Sequence, residues 1–162
     1  MAIKVGDRLP LQLKLKEMTD NGPRDVSLEE VFRGKKVVVF AVPGAFTPTC
    51  SAKHLPGFIE KADEIKAKGV DDIVCIAVND VFVMGAWGKA SGATGKVRLL
   101  ADGNGEFTKA VGLELDASGF GMGLRSQRYA MIVNDGVVEE LLVEPGPGLS
   151  VSSAESVLAK LG

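Results

Sequence analysis

Two uninterrupted runs of apolar residues constrain this chain more than any other feature. One occupies most of Lys36–Val42, and the other spans residues 73–78. Both have the length of a strand and are rich in β-branched residues, whereas a membrane-spanning helix needs about 20 apolar residues in a row. Because neither run alternates apolar with polar positions, each predicts a strand that is buried on both faces.

Segments with helical spacing separate and follow these two strands. Leu55, Phe58, Ile59, Ala62 and Ile65 recur at helical intervals, and Gly69 ends that helix. Other signals predict a turn over 20–23, a helix from a Ser27-x-x-Glu30 capping box to Gly34, a helix over 82–89, a strand over 97–100, a short helix over 106–111, a hairpin of 129–133 with 137–143, and a last helix capped at 152–153.

Strands that alternate with helices and then end in a hairpin predict an α/β fold with a central mixed β-sheet flanked by helices. This layering is typical of a thioredoxin-like domain. The chain of 162 residues is long enough for a substantial core, and it shows no internal repeat, linker or low-complexity tract. We therefore expect a single domain over residues 1–162.

Composition and glycine patterns argue against several classes of function. A net charge of −2 gives no attraction to nucleic acid or to an anionic membrane. Two cysteines and one histidine are too few for a structural zinc site or a disulfide scaffold, so we expect no metal. The glycines of 119–123 do not fit a dinucleotide fingerprint, so we expect a mobile loop there and no cofactor. Residues 144–148 are predicted to form another loop.

The start of the chain has neither a secretory signal nor a transit peptide. The expected location is therefore the cytoplasm, or a chloroplast or other organelle matrix if a transit peptide has been removed.

Cys50 is the residue with the strongest local signal for chemistry. It follows the first buried strand at the point where a helix begins, and a helix N-terminus has unpaired N–H groups and a partial positive charge. Both favour the thiolate, which is the nucleophilic form. A small apolar cysteine in the core is the alternative, but the polar neighbours Thr47, Thr49 and Ser51 argue against a dry site.

The segment around Cys50 resembles the active-site motif of the peroxiredoxins, Pro43-x-x-x-Thr47-x-x-Cys50. The longer strings 42–51 and 54–58 are similar to the type II, peroxiredoxin-5-like branch, especially its plant and algal members. Further matches at 5–7, 78–80, 82–84, 86–87, 100–103, 125–129 and 152–154 extend the resemblance over nearly the whole chain.

The resemblance implies a catalytic set of Pro43, Thr47, Cys50 and Arg128. Pro43 would stiffen the loop and shield the sulfur, and the Thr47 hydroxyl could hold a peroxide oxygen. Alone, Arg128 would be interpreted as a solvated surface charge, but its place in the motif implies a guanidinium that stabilises the thiolate and the developing charge. Arg125 lies in the same segment and is assigned no catalytic role.

Cys75 has two interpretations. Its place in the middle of an apolar strand predicts a packing role. The resemblance to plant-like members implies instead a resolving cysteine, which would have to reach Cys50 through local unfolding. Without such a disulfide, an outside thiol would attack the Cys50 sulfenic acid directly.

His54 lies one helical turn after Cys50, so the pair could also belong to a cysteine hydrolase or transferase. We expect instead that His54 is exposed or caps a helix. A protein whose cysteine only senses oxidation is a third hypothesis. A disulfide reductase is disfavoured because Cys50-Ser51-Ala52-Lys53 lacks the second cysteine of Cys-x-x-Cys.

The function implied by the resemblance is a thiol-dependent peroxidase with an antioxidant role, acting on hydrogen peroxide and alkyl hydroperoxides. Its reductant would be glutaredoxin with glutathione, or thioredoxin. Members of this branch pair as homodimers, and Phe46 and Phe82 could supply apolar contact area. Neither nucleic acid nor a membrane is expected as a partner.

Overall fold

The computed structural model describes residues 2–146 and 148–162, so Met1 and Pro147, which belongs to the predicted loop 144–148, lie outside the described residues. The strands are β1 (Lys14–Thr19), β2 (Gly22–Ser27), β3 (Lys36–Val42), β4 (Asp72–Ala77), β5 (Arg98–Ala101), β6 (Glu114–Asp116), β7 (Leu124–Ser126), β8 (Tyr129–Asn134) and β9 (Val137–Val143). The α-helices are α1 (Leu28–Phe32), α2 (Leu55–Glu60), α3 (Ala62–Ala67), α4 (Val81–Ser91), α5 (Glu106–Ala110) and α6 (Ala154–Leu161).

Seven strands form a mixed sheet in the order β2-β1-β5-β4-β3-β8-β9. The central strands β3, β4 and β5 are parallel, and β8 pairs antiparallel to β3. The hairpin of β8 and β9 forms one edge, and the hairpin of β1 and β2 forms the other. This topology confirms the predicted α/β fold with a central mixed sheet.

Both faces of the sheet are covered by helices, as the two apolar runs predict. Every residue from Val37 to Val42 is 0% exposed. Alternate positions point to opposite sides: Val38, Phe40 and Val42 pack in one cluster with α2, α3, α4 and α6, while Val37 and its alternates pack with α1 and α5. The strand therefore buries side chains on both faces of the sheet.

The structure departs from the predicted elements in two places. The helix expected over 55–65 is divided, because Lys61 leaves helical geometry at φ −95° and ψ 6° between α2 and α3. Residues 119–123 connect two short strands, β6 and β7, which pair as a separate hairpin that the sequence did not predict. The capping box at Ser27 and Glu30 is confirmed, with both of its hydrogen bonds formed.

Helix α4 lies close against β1 and β5 because two of its residues have no side chain. A Cβ at Gly85 would lie 2.8 Å from Cγ of Met18, and one at Gly88 would overlap Cδ1 of Leu99. This close approach fixes the height of the helix on the sheet, and with it the position of Trp87 near the start of the π-helical turn described below.

Candidate active site

The loop between β3 and the next helix is fixed by hydrogen bonds rather than by regular structure. The Ala45 N–H donates to the side-chain oxygen of Asn79, which lies just after β4, over 2.9 Å. The Thr47 hydroxyl donates to the Gly44 carbonyl over 2.7 Å. Phe46 has a left-handed backbone conformation with φ 62°, which is uncommon outside glycine. These contacts hold the loop in one path as it leads to Cys50.

Helical geometry begins at Pro48, and Cys50–His54 form a wide, π-helical turn in which the Leu55 N–H donates to the Cys50 carbonyl. The prediction that Cys50 sits where a helix begins is confirmed. Trp87 of α4 holds this turn from the side, because its Nε1–H donates to the Ser51 hydroxyl over 2.9 Å. Such π turns are frequent at functional sites.

The sulfur of Cys50 is buried and is contacted by a cation. The Cys50 side chain is 0% exposed, so the solvated surroundings that its polar neighbours suggest are not present. Arg128, half-buried, donates from Nη2 to Cys50 Sγ over 3.1 Å. Because a guanidinium is always charged, this contact places a positive charge directly against the buried sulfur.

The prediction that His54 is exposed is wrong, and although His54 occupies the N-cap position of α2, its side chain forms no capping hydrogen bond. The imidazole is 1% exposed and packs against the stacked rings of Phe40 and Phe58, at centroid distances of 4.9 Å and 5.6 Å. Its burial follows from the helical spacing that places His54 on the same face as Phe58, toward the core.

Both ring nitrogens of His54 have partners, and these partners determine its tautomer. Arg128 donates from Nη1 to His54 Nδ1 over 2.9 Å, and since arginine can only donate, Nδ1 must be the acceptor. Nε2 therefore bears the proton and donates to the Ser152 carbonyl over 2.9 Å. Burial lowers the pKa of His54 to about 4, and the charge of Arg128 acts in the same direction, so the ring is neutral at physiological pH.

This arrangement does not support the Cys–His hydrolase hypothesis. A general base would need a ring nitrogen directed at the Cys50 thiol. Here one nitrogen faces the Arg128 guanidinium and the other faces a backbone carbonyl. His54 orients the arginine. Within residues 2–146 and 148–162, no hydrogen bond joins the imidazole to the sulfur of Cys50.

A cavity of about 580 Å³ lies beside the cysteine. Its lining includes Pro43, Thr47 and Arg128 of the predicted set. Because the Thr47 hydroxyl donates its proton to Gly44, its oxygen is left as an acceptor at the edge of the cavity. Apolar side chains such as Phe120 and Met122 form much of the remaining wall. The structure thus brings Pro43, Thr47, Cys50 and Arg128 together.

Arg125 lies near the same loop and contacts Met122 and Gly44. It donates from Nε to the Met122 carbonyl over 3.0 Å, and its Nη1 lies 3.1 Å from where a Cβ of Gly44 would be. The side chain therefore packs against the loop at Gly44.

Cys75 lies on β4, opposite Phe40 of β3, and is buried on the same face of the sheet as Cys50. Both cysteines are free thiols. Burial, and to a smaller extent the charge of Cys50, raises the pKa of the Cys75 thiol, so it is protonated and weakly nucleophilic in this state. The packing role predicted from the sequence agrees with this environment.

Asn79, Trp87 and Ser152 also support the site, and sequence reasoning missed their contacts. All three lie in strings that resemble the family, but the resemblance implies no role for them. The three residues are brought to the cysteine by elements far away in sequence, and no local pattern marks such a contact.

Neither a metal site nor a membrane span is found in the part of the chain that the structure describes. No three His, Cys, Asp or Glu side chains among these residues are grouped so that they could hold a metal ion. None of the described helices combines the length and apolar character that crossing a membrane requires.

Comparisons with known proteins agree on one family. Residues 4–158 match the Redoxin family. The chain is 52% identical over 163 residues to Peroxiredoxin-2E-2, chloroplastic, of Oryza sativa subsp. japonica, covering 98% of this chain and 72% of that protein. Reduced Prx3 from Vibrio vulnificus, solved in complex with hydrogen peroxide, has a TM-score of 0.94 and 55% identity, with 99% of both chains covered.

Peroxiredoxin 5 from Alvinella pompejana has a TM-score of 0.86 and 39% identity, over 98% of this chain and 97% of that one. These similarities confirm the thioredoxin-like fold and the resemblance to type II peroxiredoxins.

The burial of a neutral His54 makes stability depend on pH. The folded-state pKa of about 4 lies below the ordinary value of 6.5, so the unfolded chain binds more protons between these values. Folding is therefore favoured above pH 6.5, and the free energy of unfolding should decrease by about 2 kcal/mol from pH 7 to pH 5 through this group. Urea unfolding of the reduced protein at several pH values measures this dependence. In His54→Gln that part should disappear, and an equal pH dependence in both proteins would contradict the assignment.

Proposed function

The chain belongs to the peroxiredoxin family of thiol peroxidases, and from that premise we propose that Cys50 is the residue whose sulfur attacks the peroxide. The observation that carries this proposal is the 3.1 Å contact from Arg128 Nη2 to Cys50 Sγ. A cation held against a buried sulfur supports a nucleophilic thiolate, and it is not a requirement of a cysteine that only packs in the core.

The reaction transfers one oxygen atom to sulfur. The Cys50 thiolate attacks the terminal oxygen of a hydroperoxide, the O–O bond breaks, and the leaving oxygen takes a proton to become water or an alcohol. The sulfur is oxidised to a sulfenic acid. Arg128 can donate to the peroxide oxygens as negative charge develops on the leaving one, which is the type of stabilisation provided by an oxyanion hole.

Thr47 and Pro43 complete the site in this proposal. The Thr47 oxygen, whose own proton is engaged by Gly44, can accept the hydroperoxide proton and so orient the reacting oxygen. Pro43 lines the same cavity and has no N–H to compete for the peroxide.

The substrates we propose are hydrogen peroxide and alkyl hydroperoxides. The cavity of about 580 Å³ exceeds the space that hydrogen peroxide needs, and Phe120, Met122 and Leu115 give it an apolar wall. Such a wall can hold an alkyl group while the peroxide end lies at Thr47 and Arg128. The Vibrio vulnificus relative was solved with hydrogen peroxide, which supports the smaller substrate.

A thiol then restores Cys50, and we propose glutaredoxin with glutathione, or thioredoxin, as the donor. Since Cys50 is 0% exposed, any donor requires the π-helical turn to open before a sulfur can reach it. The hydrogen bond between Trp87 and Ser51 would break in that opening, so the chain's one tryptophan reports on it.

We further propose a homodimer formed through the surface near the active site. Three phenylalanines are exposed on the described surface: Phe46 at 54%, Phe82 at 66% and Phe120 at 85%. Phe46 comes four residues before the cysteine and Phe120 lines the cavity. Exposed aromatic rings in this number are typical of an interface rather than of a free surface. The chloroplastic name of the rice relative supports an organelle matrix as the location of the dimer.

Removing the nucleophile or its cation should abolish or sharply reduce peroxide reduction. Cys50→Ser should consume no peroxide above the buffer rate, because the soft nucleophile is lost. Arg128→Ala and Thr47→Val should each lower the second-order rate constant by about 10²-fold, with the fold retained. Stopped-flow Trp87 fluorescence after peroxide addition gives the rate. The matched control is Arg33→Ala, an exposed arginine that pairs with Glu29 on α1. A near-wild-type rate in Cys50→Ser would disprove the proposal.

Dimerisation should weaken when exposed rings are removed from the proposed surface. Phe46→Ser and Phe120→Ser should each weaken self-association by at least about tenfold, because buried aromatic anchors contribute most of the energy of an interface. Sedimentation velocity over a range of concentrations measures this effect. Val5→Ser, at another exposed apolar residue, is the control. A concentration-independent monomer mass for the unsubstituted protein would exclude the dimer.

Cys75→Ser separates packing from resolution. If Cys75 resolves, peroxide should produce a Cys50–Cys75 disulfide more slowly than the sulfenic acid, because the thiol is buried and protonated. We expect turnover with glutaredoxin and glutathione to survive Cys75→Ser, since these donors can attack Cys50 directly. Mass spectrometry of the oxidised protein and donor-specific turnover are the measurements. Complete loss of glutathione-linked turnover in a folded Cys75→Ser protein would contradict this expectation.

A further inference from the structure

Glu144 is a buried carboxylate that lines the same cavity as Arg128. It follows the last residue of β9 and is 8% exposed. It forms none of the ion pairs found between the described residues. A buried, unpaired carboxylate is costly unless hydrogen bonds satisfy it, and the question is what its burial achieves.

The segment before α6 supplies the hydrogen bonds. Three consecutive backbone N–H groups, those of Ser150, Val151 and Ser152, donate to the carboxylate over 2.8 to 3.1 Å. The hydroxyls of Ser150 and Ser152 each donate over 2.7 Å. Although burial alone raises the pKa of Glu144, the hydrogen bonds from Ser152 and Ser150 lower it to about 2. The carboxylate is therefore ionised, and it fixes the path of residues 150–152.

The same segment holds the histidine. The carbonyl of Ser152 accepts the His54 Nε2–H over 2.9 Å, and the N–H and hydroxyl of Ser152 donate to Glu144. That carbonyl favours the Nε2-protonated tautomer, the one that the contact with Arg128 also requires. With Nε2 protonated, Nδ1 is free to accept from Arg128, whose other nitrogen contacts the Cys50 sulfur.

A second contact links Glu144 to the arginine through the backbone. The Glu144 N–H donates to the Arg128 carbonyl over 3.0 Å, which extends the pairing of β8 and β9 by one residue. The side chain of Glu144 thus holds the segment that contacts His54. Its main chain holds Arg128, the residue that His54 contacts on its other side.

We propose that Glu144 is a positioning residue for peroxide reduction, acting through the Ser152 carbonyl and the Nε2-protonated tautomer of His54 to aim Arg128 at Cys50. This inference rests on the proposed function, and it adds to that function a residue outside the predicted catalytic set.

The negative charge of Glu144 is essential to this role. A glutamine has a single acceptor oxygen, so it cannot receive five donor groups, and its NH₂ would face backbone N–H groups. Glu144→Gln should therefore release residues 150–152, move the Ser152 carbonyl and let His54 adopt both tautomers.

The first test is the rate of peroxide reduction by Glu144→Gln. We expect the second-order rate constant to decrease by about tenfold, the effect of losing one well-placed hydrogen bond to the arginine. The control is Glu155→Gln, which makes the same chemical change at an exposed position in the first turn of α6. An unchanged rate in folded Glu144→Gln would overturn the proposal.

The second test reads the tautomer directly, which a merely structural role would not change. Because the chain has a single histidine, its ¹⁵N imidazole resonances can be assigned without ambiguity. The unsubstituted protein at pH 7 should show one neutral tautomer with Nε2 protonated, and Glu144→Gln should show a mixture. One identical tautomer in both proteins would overturn the proposal.

A double-mutant cycle tests whether Glu144 acts through His54. If it does, His54→Ala and the double variant His54→Ala/Glu144→Gln should react with peroxide at the same rate. If the double variant is slower by the full factor seen for Glu144→Gln alone, the two residues act independently and the proposal is wrong.

If Glu144→Gln does not fold, Ser152→Ala, which removes one hydroxyl donor and keeps the carbonyl, should slow the reaction by about threefold and populate the second tautomer. No change in either measurement would overturn the proposal. Failure of the proposed function would be different, because the unsubstituted protein would then show no reaction with peroxide.

Discussion

The pairing of β3 with β8 determines where the chemistry of this protein can lie. The two strands are antiparallel, with Ala41 opposite Tyr129, so the end of β3 and the start of β8 meet at one edge of the sheet. Cys50 follows the first of these ends and Arg128 precedes the second, which brings together side chains separated by 78 residues. The loop, the π-helical turn and the cavity are all arranged around this meeting point. Shifting the register by one residue would turn Arg128 to the other face of the sheet.

A charged guanidinium at the edge of an apolar core requires partners on every side. The sulfur of Cys50 satisfies one nitrogen and His54 satisfies another, while the stacked rings of Phe40 and Phe58 pack against the imidazole. The histidine thus accepts a hydrogen bond from the guanidinium without carrying a charge. A carboxylate at this position would form an ion pair with Arg128 and would compete with the sulfur for the positive charge of the arginine. Keeping the orienting group neutral leaves the positive charge of the arginine for the sulfur and the peroxide.

Much of this fold could be predicted from local pattern. The buried run in β3 could only be a strand covered on both faces, and the cap at Ser27 marked a helix start. The role of His54 could not be predicted in this way, because its partners Arg128 and Ser152 lie 74 and 98 residues away in sequence. Spacing placed His54 on the helix face of Phe58, but whether that face met solvent or the core depended on α6. Glu144 was missed for a different reason, since it opens the segment predicted to be a loop, and a carboxylate in a loop is expected to be exposed.

The π-helical turn at Cys50–His54 has a consequence for how this sequence can vary. A π turn contains one residue more than an ordinary α-helical turn. If the chain lost one residue between Pro43 and Cys50, the π turn could become an ordinary α-helical turn and so make up the difference. The conversion would rotate every preceding position by about 100° relative to α2. Cys50 would then face away from Arg128, even though the helix itself would be intact. Surface loops usually tolerate insertions and deletions. The segment from Pro43 to His54 should instead tolerate substitutions more readily than any change in its length.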